Sequence, residues 1–399
     1  MLPQFSARAQ WNLRETAYAA ALRKAYAQGQ AIFDLTASNP TTCGFVYDEE
    51  RLLGLLHNPE FLTYEPDPRG LRHAREAVAG YYREETGVAL DPSHVVLTTS
   101  TSEAYSFLFR LLCDSGDEVL VAQPSYPLFE FLADLDNIRL VPYPLFYDHG
   151  WHLDVAALRT CITARTRAIV VVQPNNPTGH FTKRAERMDL EEVCKQHGLA
   201  LIVDEVFLDY RANTSSNALD SAQSFITGNH PGLTFVLSGL SKVAALPQMK
   251  AAWLVCRGPE GLLQEAMARL EVISDTFLSM NAPIQHALPG MLATRHDMQR
   301  QILARVRENL AALDDVLQQQ PVVSRLVMEA GWYAVLRIPA LESVEAAAIR
   351  LLETERVLVH PGHFYGLAGE GWIVVSLLPP LAEFQEGITR LAKFFRANG

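Results

Sequence analysis

Four short segments carry side chains whose types and spacing suit the capture of a charged, ring-bearing ligand. Lys242 closes Ser238-Gly239-Leu240-Ser241-Lys242, directly after an apolar run ending at Leu237. Its amine is therefore expected at the carboxyl end of a sheet strand, where α/β sheets bind ligands, although a lysine alone in that position is an ordinary solvated residue. Asp204 ends the run Ala200-Leu201-Ile202-Val203. A carboxylate set against a buried sheet edge needs a cation or hydrogen-bond donors, and a protonated ring nitrogen is one such partner; a helix cap or salt bridge is the plainer alternative. Asn175-Asn176-Pro177-Thr178-Gly179 follows Ala168 to Val172 and forces a tight turn, from which an asparagine can donate to a ring oxygen. Thr99-Ser100-Thr101-Ser102-Glu103-Ala104 joins a strand pattern to a helix pattern, so hydroxyls and free N–H groups converge as an anion site fit for phosphate. Ser100 with Glu103 three residues on is also a capping box, which by itself only starts a helix.

The elements that must position these side chains alternate. Val95 to Thr98, Glu118 to Val121, Ala168 to Val172, Ala200 to Val203, Thr234 to Leu237 and Ala252 to Cys256 are continuous apolar runs, the pattern of strands covered on both faces. Helical patterns such as Ser102 to Leu112 and Arg184 to His197 lie between them, ended by Cys113-Asp114-Ser115-Gly116 and by Gly198. Repeated βαβ units imply an α/β fold on a mostly parallel sheet. From about residue 260 to 320 the pattern is nearly pure helix; Gly331 to Ile338, Val357 to Val359 and Trp372 to Leu377 then read as strands of a second, α+β lobe. Ala17 to Ala27 reads as an amphipathic helix that packs back on that lobe, and Asn213 to Asn217 as a polar loop. The expected division is a large domain over 45–285 and a small one from 1–44 with 286–399.

Composition narrows the function classes. The 399 residues are 49% hydrophobic and 20% charged, which suits a globular protein of two lobes. A net charge of −11 without a basic block argues against nucleic acid as partner. The five cysteines, Cys43, Cys113, Cys161, Cys194 and Cys256, lack the paired spacing of a metal site. The first thirty residues interleave charges with apolar residues, and no run reaches the roughly 18 apolar residues of a membrane span, so a cytoplasmic enzyme without metal or membrane association is expected.

Taken in order, the hydroxyl-rich loop, the Asn176-Pro177-Thr178-Gly179 turn, Asp204-Glu205 and Ser238-x-x-Ser241-Lys242 followed by Pro247 resemble the class I/II aminotransferases of fold type I, along nearly the whole chain. The resemblance implies a large domain with a seven-stranded sheet flanked by helices, a smaller α+β domain, and pyridoxal 5'-phosphate bound to Lys242 as a Schiff base. It further implies that Asp204 holds the pyridine nitrogen and Asn176 the phenolic oxygen. Ser100, Thr101, Ser102, Ser238 and Lys250 match phosphate ligands, Tyr126 matches the aromatic that stacks on the ring, and Tyr64 matches a tyrosine given to the phosphate by the other subunit of a homodimer. Ser38 and Asn39 lie in the segment that closes over substrate. A small-molecule amine or amino acid and a carbonyl acceptor are the implied substrates.

Three positions depart from the family pattern. Phe207 stands where many members carry a tyrosine that hydrogen-bonds the phenolic oxygen, so the internal aldimine is expected to keep its proton to higher pH. Lys250 replaces an arginine, keeping the charge but losing the bidentate fork. Val374, two residues before Ser376, replaces the arginine that clamps a substrate carboxylate, which leaves His360 or His363 as candidate donors or points to a substrate without that carboxylate. The last departure keeps elimination, decarboxylation and amine oxidation open as alternative reactions. A non-catalytic sensor is disfavoured by the short N-terminal stretch and by the presence of Lys242, Asp204 and Asn176, and a nicotinamide dehydrogenase by the lack of G-x-G-x-x-G after any strand.

Overall fold

Continuous apolar runs, buried on both faces, build the centre of the molecule. The computed structural model describes residues 5–127, 129–212, 223–278, 280–319 and 321–398, so the stretch Asn213 to Asn217 lies outside the described residues. After β1 (Phe33–Asp34) come β2 (Val95–Thr98), β3 (Glu118–Gln123), β4 (Arg139–Tyr147), β5 (Trp151–Leu153), β6 (Thr166–Val172), β7 (Ala200–Asp204), β8 (Thr234–Gly239) and β9 (Ala252–Arg257). These last eight form one sheet in the order β2-β9-β8-β7-β6-β3-β4-β5. Neighbours from β8 to β4 are parallel, while β9 runs antiparallel to both β2 and β8.

Successive residues of a strand point to opposite faces. Ile169, Val171, Leu201 and Val203 accordingly enter one buried cluster, and Ala168, Val170, Ala200 and Ile202 enter the cluster on the other face. Removing each such valine, leucine or isoleucine from water contributes about 1.5–3 kcal/mol, which is why neither face tolerates polar residues.

The sheet has eight strands rather than the expected seven. The extra one, β5, is a three-residue hairpin partner of β4, too short to show a period. β4 itself is hidden in the sequence by Pro142 and Pro144, since proline cannot donate to a ladder. The Arg139 N–H donates to the Asp117 carbonyl at 2.8 Å, so odd-numbered residues of β4 face β3. Pro142 and Pro144 share the opposite parity and lie on the outer side, where no N–H is needed by β3.

The second lobe holds β10 (Ser324–Arg325), β11 (Tyr333–Arg337), β12 (Val357–Leu358), β13 (His360–Pro361) and β14 (Trp372–Ser376). They form the sheet β10-β11-β14-β13, and β12 pairs with β1. The helix Ala17–Ala27, capped by the Thr16 hydroxyl, does pack on this lobe: Tyr18, Ala21 and Ala25 enter its core and the Tyr18 hydroxyl donates to the Val359 carbonyl at 2.8 Å. Residues of helix Ala282–Leu292 belong to the large-lobe core, whereas Met298 onward enters the small-lobe core, so the handover falls a few residues beyond 286. Phe207, Tyr210 and Ala245, from loops of the large sheet, also pack in the small-lobe core and join the lobes. Among the described residues, no helix is long and apolar enough to cross a membrane.

Gly179 ties the Asn176 turn to the small lobe. Its carbonyl accepts the Glu329 and Ala330 N–H groups at 3.2 and 3.1 Å, its φ is +71°, and a Cβ there would stand 2.5 Å from the Ala330 carbonyl oxygen. Left-handed backbone and contact together predict that Gly179→Ala costs about 1–3 kcal/mol, read as a lower denaturant midpoint in equilibrium unfolding.

Candidate functional site

Parallel register brings three loops to one edge of the large sheet. Val172 lies opposite Asp204, and Asp204 opposite Leu237. The Gln173 N–H donates to the Asp204 carbonyl and the Glu205 N–H to the Leu237 carbonyl, both at 2.8 Å. The turn with Asn176, the strand end with Asp204, and Ser238 with the short helix Leu240–Val243 that bears Lys242 therefore share this carboxyl edge. β2 arrives there too, because two antiparallel pairings through β9 restore the direction of β8. Its exit leads into helix Thr101–Leu112.

The electrostatic centre is Asp204 with Lys242. The Asp204 carboxylate is buried and accepts the Val206 N–H at 3.1 Å and the Tyr105 hydroxyl at 3.2 Å. Burial nonetheless pushes it up to about 6, with those two bonds and the Lys242 charge pulling the other way. The Lys242 Nζ lies 4.9 Å from the Trp332 ring centroid and 5.6 Å from that of Phe207. Burial pulls this amine down to about 8 against the attraction of Asp204. A lysine shifted this far exchanges its proton near neutral pH, as a nucleophile or proton carrier must.

Around this pair several polar atoms have no hydrogen-bond partner among the described residues. Asn176 Oδ1, Ser238 Oγ and Ser125 Oγ are buried without a hydrogen bond. Buried polar atoms are seldom left unpaired, so a row of them along one edge is where a ligand completes the network. The Ser100 hydroxyl caps the helix by accepting the Glu103 N–H at 3.1 Å, while the Glu103 carboxylate accepts the Thr99 N–H at 2.7 Å, one residue earlier than a standard capping box. The N–H groups of Thr101 and Ser102 thus stand at a helix start with no acceptor among the described residues, a fit for an anion. The donor set suits a phosphate joined to a cationic ring.

Tyr126 is 45% exposed and feels the Asp204 charge. Phe207 meets Trp332 edge-on at 5.0 Å and Tyr333 at 6.3 Å. Ser38 lies beside the Tyr333 hydroxyl. Of the other expected site residues, the Asn39 amide oxygen is used by the Thr41 N–H and hydroxyl, the His363 ring is exposed against Phe364, and Lys250 is exposed with a φ of +51°. Tyr64 is 79% exposed, and Val374 is fully buried among apolar side chains.

Sequence reasoning passed over Tyr105, Trp332, Tyr333 and Tyr365. Only Tyr105 carried a local signal, being five residues after the cap on the helix that starts at the anion loop; the other three reach the site from the small lobe through tertiary packing. Glu205 and Asp209, beside Asp204, turn elsewhere. Glu205 accepts the Ser224 hydroxyl at 2.7 Å, and Asp209 takes the Tyr81 hydroxyl at 3.2 Å and the Gln299 amide at 3.1 Å.

Residues 36–391 match the profile of the family described as aminotransferase class I and II. A glutamate-pyruvate aminotransferase of Haemophilus influenzae is 27% identical over 375 residues, covering 92% of this chain and 91% of the relative. An arginine-pyruvate transaminase of Pseudomonas aeruginosa is 29% identical over 339 residues, 83% of this chain and 82% of the relative. Among solved structures, an alanine aminotransferase from Pyrococcus furiosus superposes with a TM-score of 0.88 at 24% identity, covering 99% of this chain and all (100%) of that one.

The buried carboxyls set a pH dependence of folding. Asp204, Glu205 and Asp209 hold their protons up to about 6, 7 and 7, each chiefly through burial. In the unfolded chain they ionise near pH 4, so the folded state binds more protons between these values, and the stability this gives is lost as pH rises through about 6 to 7. The ligand-free protein is expected to melt at lower temperature at pH 8 than at pH 6, and Glu205→Gln with Asp209→Asn to flatten that slope; a higher midpoint at pH 8 would contradict the assignment.

Proposed function

The chain belongs to the aminotransferases of class I and II, and from that footing we propose that its amino transfer uses pyridoxal 5'-phosphate held at the carboxyl edge of the large sheet. The observation that carries this is the convergence of Lys242, Asp204 and the partnerless Asn176 and Ser238 on one strand edge beside the open N–H groups of Thr101 and Ser102. When bound, this cofactor supplies a carbonyl that exchanges amines and a protonated ring that accepts an electron pair.

Each side chain then has a distinct task. Asp204, dry and ionised above about pH 6, keeps a proton on the ring nitrogen. The Asn176 amide, turned over so that its NH2 takes the place of the partnerless oxygen, would donate to a ring oxygen of the cofactor. The Thr101 and Ser102 N–H groups, the Ser238 hydroxyl and the Lys250 charge would hold the phosphate, and Tyr126 would supply an aromatic face for the ring. Phe207 covers the ring-oxygen side without adding a donor. Lys242 would hold the cofactor through its amine, and the same amine, when free, would serve as the base that takes up the proton at the amine-bearing carbon of the donor.

Over a full cycle the donor exchanges NH2 and H for a carbonyl oxygen and the acceptor does the reverse, so no outside oxidant or reductant is needed. The acceptor in this reading is a keto acid or another carbonyl compound; the pyruvate in the names of the relatives supports a keto acid. We further infer a homodimer in which Tyr64 of one subunit reaches the phosphate of the other. It is supported by the exposure of Tyr64 and Leu62, at 79% and 91%, on one short segment. Five free thiols suit a reducing, cytoplasmic setting.

Treating the loaded protein with borohydride and mapping the added mass tests the assignment directly: the label is expected on Lys242, and Lys242→Ala should lower amino transfer by about a thousandfold or more. Labelling at another lysine would overturn it. Phe207→Tyr adds a donor to the ring oxygen and stabilises its unprotonated form, so the pH midpoint of the visible absorption change should fall relative to the unaltered protein.

A further inference from the structure

The turn that carries Asn176 is closed by a histidine to which the cofactor reading assigns no task. The Asn175 N–H donates to the His180 carbonyl and the Gly179 N–H to the Asn175 carbonyl, both at 2.8 Å, so the backbone around Asn176 forms a closed loop. The Thr178 hydroxyl stiffens it by donating to Asn175 Oδ1 at 2.8 Å. Asn176 Oδ1 itself has no hydrogen-bond partner among the described residues, so the amide takes its direction from the turn and from whatever anchors the turn.

That anchor is ionic and buried. The His180 ring, 4% exposed, lies between two carboxylates, with Nε2 3.1 Å from Glu186 and Nδ1 3.7 Å from Glu329. Neither contact is an aligned hydrogen bond, so the ring is held as an ion-pair partner. Lys183 pairs with the other Glu329 oxygen. These four side chains sum to zero charge only while His180 carries a proton. Burial opposes that proton, but the two carboxylates more than offset it and hold the imidazole above the usual histidine range. Burial likewise works against the Glu329 charge, yet His180, Lys183 and the Phe181 N–H, which donates to it at 3.0 Å, hold this carboxyl down at about 2.

The cluster also joins separate parts of the chain. Glu186 comes from the first turn of helix Arg184–His197 and accepts the Leu153 N–H of β5 at 2.8 Å. Glu329 comes from the small lobe, where its N–H and that of Ala330 donate to the Gly179 carbonyl. His180 is therefore gripped from the large lobe on one side and from the small lobe on the other. Removing one member of such a set strands a buried charge, which is the costly way to break an ion pair.

We propose that His180, Lys183, Glu186 and Glu329 form a positioning unit for Asn176, anchoring its turn to both lobes and so fixing the direction from which the Asn176 amide meets the cofactor ring. The inference rests on the cofactor reading given above. None of the four touches the reacting atoms; they act through the turn.

Glu329→Gln keeps the shape and the oxygen that accepts Phe181 but removes the charge, and its effect is read in the cofactor-loaded protein as the pH midpoint of the visible absorption change. A donor to the ring oxygen stabilises its unprotonated form, so a displaced Asn176 raises that midpoint, by about half a pH unit or more. Loss of a negative charge acting only through space would lower it, so the sign separates positioning from plain electrostatics. In the double variant with Asn176→Ala the midpoint should rise no further than in Asn176→Ala alone, as for residues that act through one contact. An unmoved or lowered midpoint in Glu329→Gln, or additive shifts, overturns the proposal. If Glu329→Gln does not fold, His180→Gln enters the same cycle and the same absence of additivity decides. A midpoint that Asn176→Ala leaves unchanged counts against the cofactor reading, and the anchoring is then decided without cofactor: hydrogen exchange at the Asn175 and Gly179 amides should be at least about tenfold faster in Glu329→Gln than in the unaltered protein, and equal rates overturn it.

Discussion

One carboxylate in a place with little water organises this protein. Asp204 can be ionised at the end of a buried strand only because Val206, Tyr105 and the charge of Lys242 share its field. That requirement fixes neighbouring choices: a tyrosine on the helix behind it, a lysine within reach on the next loop, and aromatic rings around the lysine that keep solvent away. The cost of desolvation is turned to use, since it brings the proton affinities of an acid and a base toward each other until both sit near neutral pH.

Much of this was legible in the sequence, and the reasons are local. β2, β7 and the helix Arg184–His197 appear where their patterns place them, because strands covered on both faces read as continuous apolar runs and helices end at glycine. The chemical residues were legible because each follows a strand closely, so chain order sets their place at one edge. What stayed hidden depends on long-range packing. β4 was masked by prolines that are harmless on an outer edge, and Tyr333, Tyr365 and Trp332 approach from the second lobe with nothing nearby in the chain to mark them. Asn39 and His363, singled out by position, instead cap a turn and lie against a phenylalanine.

The two lobes are less separate than their sheets suggest. Phe207, Tyr210 and Ala245 leave loops of the large sheet and finish inside the core of the small one, and the Tyr210 hydroxyl binds the Lys242 carbonyl. The segments that hold Lys242 and Asp204 are therefore also the seam between cores. Any movement of the small lobe is felt at Lys242, and any gap opened at Tyr210 would be felt in both cores.

The prolines of β4 carry a consequence of another kind. The rim of an open sheet is a template on which a second chain can add a strand, and this is the usual route from a folded protein to a fibre. Here that rim lacks two donors in a row, at Pro142 and Pro144, and the next residues are occupied by the Trp151–Leu153 hairpin arm. An incoming strand would find alternate rungs missing. The same prolines that concealed the strand from a reader of the sequence also hide it from other proteins in a crowded solution.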